Sequence, residues 1–122
     1  MPLGHEIAIP LYELFLQKAE QRMPIYDTYD HEQDVFYRLS EPSKNIEDMI
    51  IDSQIKSDIT ALMLELPKNQ YEVLKMRLFQ DMSFKEIAER TNVSINTSLG
   101  RMRYGLINLR KLIDERNLTM TQ

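Results

Sequence analysis

The chain has 122 residues and no cysteine, and 43% of its residues are hydrophobic. This length suits one modest domain, or one domain with an arm, and the lack of cysteine excludes disulfides and cysteine-based zinc sites. No segment approaches the roughly 20 apolar residues that span a bilayer, and no signal peptide is evident, so we expect a soluble cytoplasmic protein with no membrane partner.

The net charge of −4 is unevenly distributed along the chain. Up to Thr60, 5 basic residues face 12 acidic ones, a balance of −7; from Ala61 onward, 10 face 7, a balance of +3. An acidic first part can dock on the basic second part, bind a separate basic partner, or keep the protein soluble. The basic excess is small, so we expect any DNA affinity of the isolated chain to be weak.

The first predicted element is an amphipathic helix from Leu11 to Arg22. Its apolar residues recur at helical spacing, and Pro10 is tolerable as its first residue. The preceding Pro2 to Ile9 is expected to form an extended arm or a turn. Packing within the chain is favoured over a partner contact for the apolar face, which comprises Leu11, Leu14, Phe15 and Ala19.

The next segment, Pro24 to Lys44, has no clean period and is interpreted as a linker. Its aromatic residues could lie across a basic surface or pack on the domain, and the second alternative is favoured; they are Tyr26, Tyr29, Phe36 and Tyr37. A calcium site is disfavoured because the EF-hand's central glycine and terminal glutamate are missing. A solvated acidic linker is the expected role of Asp27, Asp30, Glu32 and Asp34.

A long helix is predicted from Ile46 to Leu66, and Pro67 starts a further helix. The apolar stripe of the long helix is Ile46, Met49, Ile50, Ile55, Ile59, Leu62, Met63 and Leu66. The residues expected to point mostly inward from the second helix are Tyr71, Val73, Leu74, Met76, Leu78 and Phe79. The methionines are interpreted as core filler rather than as a binding groove.

Two helices separated by a tight turn follow from Asp81 to Arg116. Ser83 and Glu86 are spaced as a capping box. Asn92 is the residue best able to end the first helix in the left-handed conformation, and Ser94 can cap the second. Small Ala88 lets the two backbones approach closely. This arrangement is typical of a helix-turn-helix.

The second helix of this pair is predicted to carry the function. Its apolar residues Leu99, Met102, Leu106, Leu109 and Ile113 should face the body of the domain. Its first turn would enter a DNA major groove, where amide and hydroxyl groups reach base edges and basic residues reach phosphates. The predicted DNA-binding residues are Lys85, Ser94, Asn96, Thr97, Ser98, Arg101 and Arg103. A helical hairpin with a solvated basic face is the alternative, since a helix C-terminus favours cations.

No enzyme is predicted. His5 and His31 lack a clustered partner for a metal, and no phosphate loop or nucleophile elbow is present. The expectation is therefore no catalytic residue, no cofactor, no metal and no small-molecule substrate.

The segment LPKNQYEVLKMRLFQDMSFKEIAERTNVSINTSLGRMRYGLINLRK carries a family resemblance. From Ile46 to Leu112 the chain resembles region 4 of bacterial RNA polymerase sigma factors, of the extracytoplasmic-function type. The resemblance implies binding to the −35 promoter element and to the flap of the polymerase β subunit. Three positions depart from the family pattern: Ser98 replaces a usual valine or isoleucine, and Leu99 and Gly100 stand where polar or basic residues are common.

The expected fold is all-α: a compact helical bundle with a C-terminal helix-turn-helix. Residues 1–44 would form an N-terminal helix and acidic linker, and residues 45–122 the region 4-like domain. Region 2 of a full sigma factor does not fit before Arg22, so we expect it to be lacking. The chain would then be either the C-terminal part of a longer sigma factor or a protein with region 4 alone. One interpretation is a regulator that binds promoter DNA and polymerase. The alternative is a negative effector that binds polymerase, a sigma factor or a second copy without productive DNA binding.

Overall fold

The computed structural model describes residues 3–23, 29–40 and 53–121, with side chains described over 12–23, 29–35 and 56–116. Those residues form helices and turns with no strand, so the all-α prediction is confirmed. The helices are α1 (Leu3–Gln21), α2 (His31–Ser40), α3 (Ser53–Met63), α4 (Lys68–Leu74), α5 (Phe84–Thr91) and α6 (Ile95–Thr121). A π-helical turn, Lys75–Phe79, continues α4. Among the described helices, none combines the length and apolar character that crossing a bilayer requires.

Helix α6 lies at the centre of the fold and packs against α1, α3, α4 and α5. The apolar stripe predicted for it is buried as expected: Leu99, Met102, Leu106, Leu109 and Ile113. The segment after Pro67 also packs as predicted, with Val73, Leu74 and Leu78 buried. Burial of these side chains supplies the main stabilising free energy of the fold.

Helix α1 begins earlier than predicted. It starts at Leu3 and includes Pro10, so the expectation of an extended arm or turn before residue 10 is wrong. Its inner face joins the same core as α6 through Tyr12, Phe15, Leu16 and Ala19, which confirms packing within the chain. Leu14, assigned to that face, is instead partly exposed.

The predicted linker is wrong over residues 31–40, which form α2. The carboxylate of Asp30 accepts hydrogen bonds from the N–H groups of Glu32 at 3.0 Å and Gln33 at 3.4 Å, and so caps this helix. Tyr29 packs against the core, which confirms for this residue the favoured alternative that the aromatic side chains pack on the domain. Asp34 is buried, so the expectation that its carboxylate is solvated is wrong. The remainder of the predicted linker, 24–28 and 41–44, lies outside the described residues, as do the side chains of Phe36 and Tyr37.

The helix predicted from Ile46 to Leu66 is described only from residue 53, and α3 ends at residue 63. Its last turn loosens before Pro67, where the N–H of Leu66 donates to the carbonyl of Met63 at 3.0 Å. The predicted stripe is buried at Ile59, Leu62, Met63 and Leu66. The predicted stripe positions 46, 49 and 50 lie outside the described residues, as does the side chain at position 55.

Candidate nucleic-acid interface

The first helix of the helix-turn-helix, α5, begins with the predicted capping box. The Ser83 hydroxyl accepts from the N–H of Glu86 at 3.2 Å, and the Ser83 N–H donates to the Glu86 carboxylate at 2.8 Å. Each bond satisfies a backbone donor that the helix itself leaves unpaired. The prediction from the Ser-x-x-Glu spacing is therefore confirmed.

Two further caps on α5 come from the segment preceding α3, and the sequence analysis missed them. Asp34 accepts a hydrogen bond from the N–H of Phe84 at 3.0 Å, and the Tyr29 hydroxyl accepts from the N–H of Lys85 at 3.3 Å. Together with Ser83, these groups pair the N–H of three consecutive residues at the start of α5. A carboxylate at a helix N-terminus is also stabilised by the helix dipole.

Behind these caps lies a buried ion pair between Arg77 and Asp34, whose side chains are 5% and 3% exposed. The Arg77 guanidinium also donates to the carbonyl oxygens of Arg22 (2.7 Å) and Met82 (3.0 Å). It stacks over the Phe84 ring at 4.5 Å from the ring centroid. One side chain therefore holds together the end of α1, α2 and the start of α5.

Tyr29 completes this network. Its hydroxyl donates to Asp34 at 2.6 Å, and its ring meets the Phe84 ring edge-on with centroids 6.1 Å apart. Burial, and then the hydrogen bond to Asp34 with that residue's negative charge, raise the pKa of Tyr29 to about 12. The hydroxyl thus stays protonated at neutral pH and serves as a donor to Asp34.

The turn between α5 and α6 also follows the prediction. Asn92 has φ 58° and ψ 45°, the left-handed conformation. The next N–H, that of Val93, donates to the carbonyl of Ala88 at 3.0 Å. Ser94 then caps α6 by accepting from the N–H of Thr97 at 3.0 Å. The turn thereby fixes the angle at which α6 leaves α5.

Most of the predicted DNA-binding residues lie on the outer surface of this motif. Lys85, Ser94, Asn96, Thr97 and Arg103 are exposed, and Arg101 is half-buried. Ser94 and Thr97 bond each other, because the Ser94 hydroxyl donates to the Thr97 hydroxyl at 2.9 Å. Ser94 is thus engaged in the cap, whereas the Thr97 hydroxyl retains its own proton to donate.

Ser98 is the exception because it is buried, so the structure gives no support to the prediction that it reads bases. Its residue is 0% exposed, and its hydroxyl has no hydrogen-bond partner among the described residues. Ser98 lies four residues before the fully buried Met102, so the two share the inner face of α6. Its place in the first turn suggested a contact with bases, whereas the helical period places it inside.

The arginines at the end of α5 and the start of α6 differ from the other described arginines in their pairing. Elsewhere, Arg22 pairs with Asp81 at 2.7 Å, and Arg110, in the later part of α6, lies 3.1 Å from Glu13 and 3.4 Å from Glu20. Arg116 pairs with Glu65 in the same way. Within the described part of the chain, no ion pair involves Lys85, Arg90, Arg101 or Arg103.

Arg101 and Arg103 lie at opposite edges of the exposed side of α6. Successive residues are rotated by about 100° around the axis of an α-helix. Two residues that are two positions apart are therefore separated by about 200° in one direction and about 160° in the other. The buried stripe occupies the other side, and the middle of the exposed side falls between Gly100 and Tyr104, which is 61% exposed. The exposed side of α6 therefore has an arginine at each edge. Between the two arginines lies a strip that has no side chain at Gly100 and a large one at Tyr104.

A metal site or a binding cleft elsewhere in the described structure would be an alternative functional site. No group of three or more His, Asp or Glu side chains among the described residues is placed to hold a metal ion. A cleft of about 360 Å³ lies between α1, α3 and the later part of α6, with Asp58, Glu65 and Arg116 among its lining residues. It lies away from the first turns of α6.

Comparison with protein families gives a match between residues 56–98 and the family described as Sigma-70, region 4. Comparisons with curated proteins and with solved structures found no match. The matched residues run from α3 through α4 and α5 to the first turn of α6. They include Lys85, Asn96 and Thr97, whereas Arg101 and Arg103 lie beyond the match. This family is a non-enzymatic one of transcription, with promoter DNA and RNA polymerase as partners. Residues 56–98 of this all-α chain therefore match sigma-70 region 4.

Proposed function

We propose that the chain is a transcription regulator that binds −35 promoter DNA through the N-terminal half of α6. One observation carries the proposal: Arg90, Arg101 and Arg103 make no ion pair among the described residues. The other described arginines are each bound to a carboxylate, namely Arg22, Arg77, Arg110 and Arg116. Unpaired cations on a convex helix are available to phosphates. A regulator of this kind works in the cytoplasm, alongside the polymerase.

Each residue has a distinct role in this proposal. Asn96 and Thr97, in the first turn of α6, contact base edges, since an Asn amide can bond adenine bidentately. Arg101 and Arg103 contact phosphates at the two edges of the groove, and Lys85 contacts the backbone from α5. Ser94 acts through the cap that sets the direction of α6.

The acidic N-terminal part does not cover this surface over its described residues. Glu13 and Glu20 of α1 bind Arg110, seven residues after Arg103 and about two helical turns away. Asp34 is buried beneath α5. These contacts favour DNA binding over a model in which α1 masks the recognition helix.

A second candidate function is supported by a different observation. Tyr104 and Ile107 are 61% and 45% exposed on α6, and exposed apolar groups of this size suit a protein partner. A negative effector would use them to bind the polymerase β flap, a sigma factor or a second copy. In that case the chain would compete for polymerase or promoter without binding DNA productively.

The two candidates are separated by binding measurements on the intact chain. Duplexes selected from a randomised library would be titrated by fluorescence anisotropy at several salt concentrations. The double variant Arg101→Ala/Arg103→Ala should bind at least about tenfold more weakly, and the slope of log K against log salt should fall by about 2. The control Lys68→Ala/Lys75→Ala removes the same charge from α4 and the start of its π-helical turn, and should bind as the original chain does.

Two results would count against the proposal. Equal losses in the double variant and its control would show that only net charge matters, and would overturn the residue assignment. Failure of the intact chain to select any duplex, together with a stable complex with core polymerase or a sigma factor, would favour the negative effector.

A further inference from the structure

Nothing in the described structure explains why residue 100 is a glycine. It lies inside α6, next to Arg101, and has no positive φ, so its backbone conformation is open to any residue. A Cβ built on it would meet no described atom within 4 Å. Glycine in a helix interior is nevertheless destabilising, because it loses the most conformational freedom on folding.

At Gly105, by contrast, packing within the chain explains the glycine. A Cβ there would lie 3.2 Å from Leu74 Cδ1, 3.3 Å from Leu74 Cγ and 3.4 Å from the Cβ of Gln70. The absence of a side chain at residue 105 therefore permits the close packing of α4 on α6. No contact of that kind exists at residue 100.

Gly100 lies at the place where DNA would approach most closely. It follows Asn96 by four residues, so the two share one side of α6 on successive turns. Arg101 and Arg103 flank that side at its edges, where phosphates would lie. The strip between them would face the floor of the major groove, which consists of base-pair edges.

We propose that Gly100 is a specificity-determining residue: its missing side chain lets a base-pair edge of the major groove lie against the backbone of α6. The inference rests on the proposed DNA binding and adds a residue to it. A methyl group at position 100 would fill the space of the base edge and lift Asn96 away from its own base. The long side chains of Arg101 and Arg103 would still reach phosphates, so sequence-independent binding would persist.

The test uses the full chain, the variants Gly100→Ala and Gly100→Leu, and two probes. One probe is the duplex selected by the original chain from a randomised library, and the other is a scrambled duplex of the same length. The control is Ser57→Ala on α3, an exposed helix position where alanine also raises helix propensity. Thermal unfolding is measured on every variant.

We expect Gly100→Ala to raise Tm by a few degrees while lowering affinity for the selected duplex at least about tenfold, or about 1.4 kcal/mol. Affinity for the scrambled duplex should stay within about twofold, so the specificity ratio falls. Gly100→Leu should lower specific affinity further. Ser57→Ala should leave both affinities unchanged.

Two outcomes would overturn the inference while leaving the proposed function standing. These are an unchanged specific affinity in Gly100→Ala, or an equal loss on both duplexes. In each case the original chain still binds its duplex and Arg101→Ala/Arg103→Ala still weakens it. If the original chain selects no duplex at all, the proposed function and this inference both fail.

Discussion

The carboxylate of Asp34 accepts a hydrogen bond from the backbone N–H of Phe84 at 3.0 Å, across 50 residues of chain. The same carboxylate neutralises Arg77, which in turn holds the carbonyl of Arg22 at the end of α1. The start of the helix-turn-helix is therefore built partly from the segment that precedes α3. Both the stability and the orientation of the candidate DNA surface depend on that segment.

Asp34→Ala should destabilise the fold by about 3–5 kcal/mol, since removing one partner of a buried ion pair leaves an uncompensated charge inside the protein. Arg77 would lose its carboxylate, and Phe84 would lose the acceptor of its N–H. Urea unfolding followed by circular dichroism measures the loss. Glu32→Ala, an exposed carboxylate on the same helix, is the control and should change stability by less than about 1 kcal/mol. A similarly small loss for Asp34→Ala would mean that the pair contributes little.

Tyr29→Phe should keep the ring contact with Phe84 but remove the hydroxyl that links Asp34 to the N–H of Lys85. At neutral pH the expected loss is about 1–2 kcal/mol, the size of one or two hydrogen bonds to a charged or backbone group. The same urea titration measures it. Tyr71→Phe, a half-buried tyrosine for which no hydroxyl hydrogen bond occurs within the described part of the chain, should leave stability almost unchanged.

The pH dependence of the stability of the original chain and of Tyr29→Phe gives an independent test. The pKa of Tyr29 is raised from 10.0 to about 12 in the folded chain, so the folded state holds this proton more tightly than the unfolded state. The contribution of the protonated Tyr29 hydroxyl to the free energy of unfolding is therefore fully present below pH 10 and is lost as the pH rises to about 12. The stability difference between the original chain and Tyr29→Phe should shrink over that interval. A difference that stays constant up to pH 12 would contradict the raised pKa.

Local patterns allowed much of the helix-turn-helix to be predicted. The capping box, the left-handed Asn92, the cap at Ser94 and the buried stripe of α6 each depend on residues within a few positions of one another. Such signals are visible in a single sequence because their physics is local. The positions of Arg101 and Arg103 on the outer side of α6 followed from the same helical period, whereas Asn96 and Thr97 were chosen by their place in the first turn.

The supporting network could not be predicted in this way. Asp34 and Tyr29 lie in a segment without an apolar period, and their partners are Arg77 and the start of α5, more than 40 residues away. A buried charge gives no hydrophobic signal, so its segment resembled a solvated linker. The burial of Ser98 was missed for a different reason: its chemistry suits base contacts, but the helical period turns it inward.

Asn92→Ala should destabilise the chain by about 1–2 kcal/mol, because a residue with a Cβ and no local hydrogen-bonding side chain is strained at φ 58°. Asn92→Gly should be tolerated, since glycine adopts this conformation without that strain. The two variants change nearly the same volume at an exposed site, so their difference isolates the backbone conformation. Equal stabilities in thermal unfolding would contradict this account of the turn.

Ser98→Ala should leave stability unchanged or raise it by up to about 1 kcal/mol, because the buried hydroxyl makes no hydrogen bond within the described structure and alanine is the better helix former. Affinity for a selected duplex should stay within about twofold, since Ser98 is 0% exposed. Thr97→Ala is the matched comparison: the neighbouring hydroxyl is exposed, and its loss should weaken specific binding. If Ser98→Ala weakened binding as much as Thr97→Ala, Ser98 would return to the set of base-reading residues, and α6 would have to rotate on binding DNA.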